Sequence, residues 1–147
     1  MAVDPAGKFV YAPDEDGALW TYSIDPMTGF LTQVSDPLRE GQQLVWAVIH
    51  PSGKFAYVVD RGGDNLLMFS VDANTGGLTP LKQIAVYDSG QPFPITLDPS
   101  GQIAYVANEA TNTVSAYMIG QDGSLNQYAA FATGSTPTSL AVVKATP

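Results

Sequence analysis

Residues Leu97-Asp98-Pro99-Ser100-Gly101-Gln102-Ile103-Ala104-Tyr105 decide the fold, because the chain writes this stretch three times. The other copies are Val3-Asp4-Pro5-Ala6-Gly7-Lys8-Phe9-Val10-Tyr11 and Ile49-His50-Pro51-Ser52-Gly53-Lys54-Phe55-Ala56-Tyr57, at offsets of 46 (4 to 50) and 48 (50 to 98). A second block recurs in phase: Tyr22-Ser23-Ile24-Asp25 with Thr28-Gly29, then Phe69-Ser70-Val71-Asp72 with Thr75-Gly76. Its third copy, Tyr117-Met118-Ile119-Gly120 with Asp122-Gly123, is one residue shorter in the turn. Matching at this many positions in phase marks three structural repeats.

Each repeat reads as four short strands. Strand A is the apolar run before the Asp-Pro turn, Val45 to Ile49 and Phe93 to Leu97. Pro fixes φ in that turn and the following Gly supplies the dihedral that reverses the chain. Strand B follows at Phe9 to Ala12, Phe55 to Val59 and Ile103 to Ala107, rich in aromatic and β-branched residues. Strand C covers Leu19 to Asp25, Leu66 to Asp72 and Thr113 to Ile119. Strand D covers Leu31 to Val34, Leu78 to Val86 and Leu125 to Ala132. No window carries a sustained 3.6-residue apolar period, so helix is not expected. Four strands in roughly 40–50 residues is the signature of a β-propeller blade. The expected fold is therefore all-β, a single segment of three four-stranded blades over about 3–44, 45–91 and 92–134.

Residues 136–143 read as a further copy of strand A with no B, C or D behind it, while only Ala2-Val3 of strand A precede the first strand B. Three blades cannot close, since propellers use roughly four to eight. An open wedge leaves apolar blade faces uncovered. Head-to-tail pairing of two copies by strand exchange is expected to give a six-bladed homodimer. A nine-bladed trimer is the alternative, outside the usual range.

Composition narrows the function. Six Lys and Arg against 14 Asp and Glu give a net charge of −8, which argues against nucleic acid and weighs against a strongly anionic ligand. Without Cys there is no disulfide, thiolate nucleophile or Cys-ligated metal. No apolar run approaches the roughly 18 residues of a membrane span, and no signal peptide is read at Met1, so a soluble chain of unassigned compartment is expected. No cofactor or metal is implied.

The stretch Tyr105-Val106-Ala107-Asn108 followed by Thr113-Val114-Ser115-Ala116-Tyr117 resembles the YVTN-type repeat of lactonase-like β-propellers. The Asp-Pro-Ser-Gly and Asp-x-x-Thr-Gly turns are similar too, and the resemblance covers essentially the whole chain. It implies a propeller, usually of about seven blades, in a group that includes 6-phosphogluconolactonases, lactonising cycloisomerases and repeat proteins without established activity.

The resemblance places active-site residues on the B–C loops at one mouth of the channel. Here those loops align as Asp14-Glu15, Asp60-Arg61 and Asn108-Glu109. The Asn108-Glu109 segment is similar to one whose Glu is implied as acid/base, able to protonate a ring oxygen or activate water. Arg61 in the equivalent loop has the chemistry to steady an oxyanion or bind a carboxylate. The competing reading makes all six solvated turn residues. Trp46, on the innermost strand, reads as inter-blade core, with stacking on a sugar-like ligand as its functional alternative. His50, the single histidine, aligns with Asp4 and Asp98 and reads as a turn cap. Asp14-Glu15-Asp16-Gly17 lacks the ligand alternation of a calcium loop.

The enzymes of the group resemble one another in an Arg-His pair on a strand A, where this chain has Leu44-Val45-Trp46-Ala47 and Pro92-Phe93-Pro94-Ile95. That departure and the net charge favour a non-catalytic, self-assembling scaffold that binds at its channel mouth. The alternative is a hydrolase of sugar lactones, with Glu109 as acid/base and Arg61 as clamp.

Overall fold

The protein was analysed as a computed structural model, which describes residues 1–86 and 91–143. Those residues form three antiparallel sheets and contain no helix, so none is long and apolar enough to cross a membrane. The first sheet holds β1 (Ala2–Val3), β2 (Phe9–Pro13), β3 (Ala18–Ile24), β4 (Leu31–Gln33) and β5 (Leu38–Arg39). The second runs β6 (Leu44–Ile49), β7 (Phe55–Asp60), β8 (Asn65–Val71) and β9 (Leu78–Ala85). The third runs β10 (Pro92–Leu97), β11 (Ile103–Asn108), β12 (Thr113–Ile119) and β13 (Leu125–Ala132). Each of these last two sheets is a plain meander, as four strands joined by tight turns must be. Residues 136–143 carry no strand.

The turns explain why each strand starts where it does. In the A–B turn of the third sheet, Asp98 accepts the Ser100 and Ile103 N–H groups at 3.0 and 2.7 Å. Asp4 does the same for Ala6, Lys8 and Phe9 at 3.1, 2.6 and 2.7 Å. His50 substitutes a ring for the carboxylate: its Nδ1 takes the Ser52 N–H at 3.1 Å, and Nε2 lies 2.8 Å from the Gly101 carbonyl of the next sheet. In the C–D turns, backbone N–H groups of Thr28 and Met27 hold the Asp25 carboxyl below the usual carboxylate range, and those of Asn74 and Thr75 do so for Asp72.

The outer strands differ from the sequence expectation in one place. Strand D of the first sheet is split into β4 and β5, which pair with opposite halves of β3. Pro37 between them has no N–H to give the ladder. β9 and β13 remain continuous across a bulge each, at Leu81 and Tyr128. Bulged, exposed outer strands blunt an otherwise sticky edge.

The core lies between the sheets. Phe9, Tyr11 and Leu19 of the first sheet meet Leu44, Ala56, Val58, Leu67 and Phe69 of the second. Tyr57, Val59, Leu66 and Met68 on the other face of the second sheet meet Ile95, Ala104, Val106, Tyr117 and Leu125 of the third. Period-2 alternation puts one set of each strand on each face, so the middle sheet is apolar on both. Burial pushes the Tyr11 hydroxyl up to about 12 and the Tyr57 hydroxyl higher still, so both stay neutral inside these interfaces.

Candidate functional site

The B–C loops follow β2, β7 and β11, and the chain enters each new sheet from the same side. Within each aligned pair of loop residues the first is committed to structure. Asp14 accepts the Trp20 indole N–H at 2.8 Å and the Ala18 and Asp16 N–H groups at 2.8 and 3.0 Å. Those bonds, the indole foremost, hold its carboxyl below the usual range. Asp60 is buried and accepts the N–H groups of Gln42, Gln43 and Gly63 at 3.1, 2.9 and 3.2 Å. Asn108 is buried too, its amide donating to Thr113 Oγ1 at 3.0 Å and Ser115 Oγ at 2.9 Å. Its carbonyl Oδ1 has no protein partner among the described residues.

The second residue of each pair is available. Arg61 Nη2 donates to Glu109 Oε2 at 2.6 Å, joining the loops of adjacent sheets across 48 positions of sequence. The Arg61 side chain is 32% exposed and that of Glu109 17%. The bond is short and charge-assisted, and both groups keep part of their surface open to solvent. Gln91 completes it. Its Oε1 lies 3.4 Å from Arg61 Nη2, its carbonyl accepts the Glu109 N–H at 3.3 Å, and its own N–H reaches Asp64 Oδ1 at 3.2 Å. Gln91 sits at φ 45° and Asp64 at φ 52°, left-handed conformations held by this exchange.

The structure thus brings Arg61 and Glu109 together and leaves the other candidates elsewhere. Glu15 is exposed on the first sheet's loop. Trp46 packs edge-on against Phe93 at 5.4 Å between ring centroids and remains 37% exposed. It lines a cleft of about 450 Å³ with Val48, Ile95, Leu97 and Leu140, extending to Pro51 and Pro99. Those turns lie at the opposite end of β6 and β10 from the Arg61–Glu109 pair. Gln91 escaped the sequence reading, although a polar residue also stands before strand A in the second repeat, at Gln43, whose carbonyl accepts the Arg61 N–H at 2.9 Å.

The profile of the family described as "Lactonase, 7-bladed beta-propeller" matches residues 39–141. The chain belongs to that lactonase family. A 6-phosphogluconolactonase of Pectobacterium carotovorum is 28% identical over 97% of the chain and 45% of its own length. A 6-phosphogluconolactonase of Formosa agariphila is 35% identical over 74% of the chain and 32% of its own length. The chain therefore spans less than half of either lactonase. The periplasmic gluconolactonase of Pseudomonas aeruginosa superposes with a TM-score of 0.82 at 18% identity, over 93% of the chain and 40% of that structure, which fixes the propeller fold.

These relatives correct the sequence reading of function. The scaffold expectation rested on the missing Arg-His pair and the net charge. Relatives that match 97% and 74% of the chain are named as 6-phosphogluconolactonases, and they support the alternative, a lactone hydrolase.

Proposed function

We propose that the chain carries the hydrolytic mouth of a sugar lactonase, with Arg61 and Glu109 as its reacting pair. The single observation that supports this most is the 2.6 Å bond joining two loops of adjacent blades at the same mouth. Glu109 takes a proton from water as the oxygen of that water attacks the lactone carbonyl. Arg61, whose guanidinium keeps further N–H donors beside the one given to Glu109, stabilises the developing oxyanion. The ring C–O bond then breaks, and the proton returns from Glu109 to the departing ring oxygen, leaving the open hydroxy acid. Gln91 holds both partners in place and touches no reacting atom.

Charge narrows the substrate. Arg61 is already paired with Glu109. With Arg61 engaged by Glu109 and a net charge of −8 on the chain, a neutral aldonolactone suits the site better than its phosphorylated counterpart. Hydrolysis of gluconolactone and of 6-phosphogluconolactone by the purified chain, corrected for spontaneous opening, tests this. The expected result is catalysis of both, with the larger kcat/KM on the neutral lactone. A preference for the phosphorylated one would remove the charge argument, and activity on neither would remove the proposal.

A further inference from the structure

The loop entering β10 carries a long side chain where its backbone suits glycine. Gln91 stands at φ 45° and Pro92 follows it. An L-residue bears a left-handed backbone at a cost that glycine avoids, and a following proline pushes its neighbour toward extended backbone as well. The shape belongs to the loop. Thr136, which precedes Pro137 and gives its N–H to Asn112 Oδ1 at 2.7 Å, is left-handed at φ 49°, as Gln91 is in giving its N–H to Asp64 Oδ1 at 3.2 Å. The backbone bond to Glu109 does not require that shape, because Gln43 accepts the Arg61 N–H in the same way without a left-handed backbone.

What glutamine adds over glycine here is an amide at the reacting pair. Its Oε1 lies 3.4 Å from Arg61 Nη2, the nitrogen that also donates to Glu109 Oε2 at 2.6 Å. A guanidinium only donates, so it settles which end of the amide faces it. Nε2 is left with two N–H donors and no acceptor among the described residues, on a side chain that is exposed. Every group in this arrangement lies between the second and third sheets, both of which have all four strands. A strained backbone at a functional site points to a side chain kept for its role there.

We propose that Gln91 determines specificity at this mouth, its Nε2 donating to the hydroxyl on the carbon beside the lactone carbonyl. The inference rests on the hydrolytic reading of Arg61 and Glu109. With Arg61 on the carbonyl oxygen, that α-hydroxyl is the nearest other polar group of an aldonolactone, and the Gln91 amide lies alongside the same guanidinium. The hydroxyl takes no part in bond making or breaking, so the contact acts on binding. The substrate class is thereby narrowed to lactones of 2-hydroxy acids.

Turnover of gluconolactone and of 2-deoxygluconolactone by the wild type, Gln91→Gly and Gln91→Asn reads the proposal. The wild type is expected to favour gluconolactone by about three- to ten-fold in kcat/KM, the range set by one neutral hydrogen bond. Gln91→Gly keeps the backbone bonds to Glu109 and Asp64 and suits the left-handed position, so the melting temperature should hold or rise. Its preference for gluconolactone should vanish, with the loss falling on KM rather than kcat. Gln91→Asn tolerates the same backbone but is one methylene shorter, and should lose most of the preference. A wild type indifferent to the α-hydroxyl, a preference that survives both substitutions, or a fall in kcat with the preference intact would overturn the proposal and leave the hydrolytic reading standing. A wild type that opens neither lactone would overturn both.

Discussion

Glu109→Gln is expected to lower kcat for lactone hydrolysis by about 10²–10⁴-fold, the range lost when a positioned general base is removed. The amide keeps the shape of the carboxylate and can still accept from Arg61, but it takes no proton from water. Stability should change little. Both partners keep solvent access, with side-chain exposures of 32% and 17%, and ion pairs of this kind contribute about 0–1 kcal/mol. A large loss of rate beside an unchanged melting temperature separates chemistry from folding. Activity retained within a few-fold would remove Glu109 from the mechanism and return the Asn108-Glu109 segment to the solvated turn that its sequence position first suggested.

Gly123→Ala is expected to destabilise the interface between the second and third sheets strongly. Gly123 sits at φ 81°, where an L-residue costs about 1–2 kcal/mol. The added Cβ would also stand 2.5 Å from the Phe55 ring, and overpacking of this sort costs about 1–3 kcal/mol more. Gly53→Ala is the matched control. Its φ is 71°, but the nearest atom, Pro5 Cδ, is at an ordinary 3.9 Å. Thermal unfolding should therefore show Gly123→Ala losing about 3 kcal/mol and Gly53→Ala about 1 kcal/mol. At the size of this chain that is a drop of roughly 6–12 °C against 2–4 °C. Equal losses would mean that the Phe55 ring moves aside freely, and the interlock between sheets would be loose.

The repeat made most of this fold legible. Strands B and C lie within a residue or so of their expected bounds, because Asp-Pro and Asp-Gly turns are local chemistry and the alternating apolar faces follow from a period of two. The split of strand D into β4 and β5 was hidden, since Pro37 acts only once its neighbours are known to be paired. The site was half legible. Alignment of the repeats singles out Asp14-Glu15, Asp60-Arg61 and Asn108-Glu109 as equivalent positions. It does not say that Asp60 and Asn108 are consumed in anchoring their loops while Arg61 and Glu109 meet. That contact depends on the wedge between two sheets, a tertiary quantity with no local signature. Gln91 was missed for the same reason: its left-handed backbone bonds Glu109 and Asp64 while its side-chain amide oxygen accepts from Arg61.

The direct test of the central claim, that two loops of adjacent blades act as one hydrolytic unit, is a double-mutant cycle on lactone turnover with Arg61→Ala, Glu109→Gln and both together. Residues that work as a unit are strongly non-additive. The expected result is that either single substitution costs at least about 10²-fold in kcat and the double costs little more than the worse single. Losses that simply multiply would show two groups acting separately, and a double variant as active as the wild type would show that the chemistry of this mouth lies elsewhere.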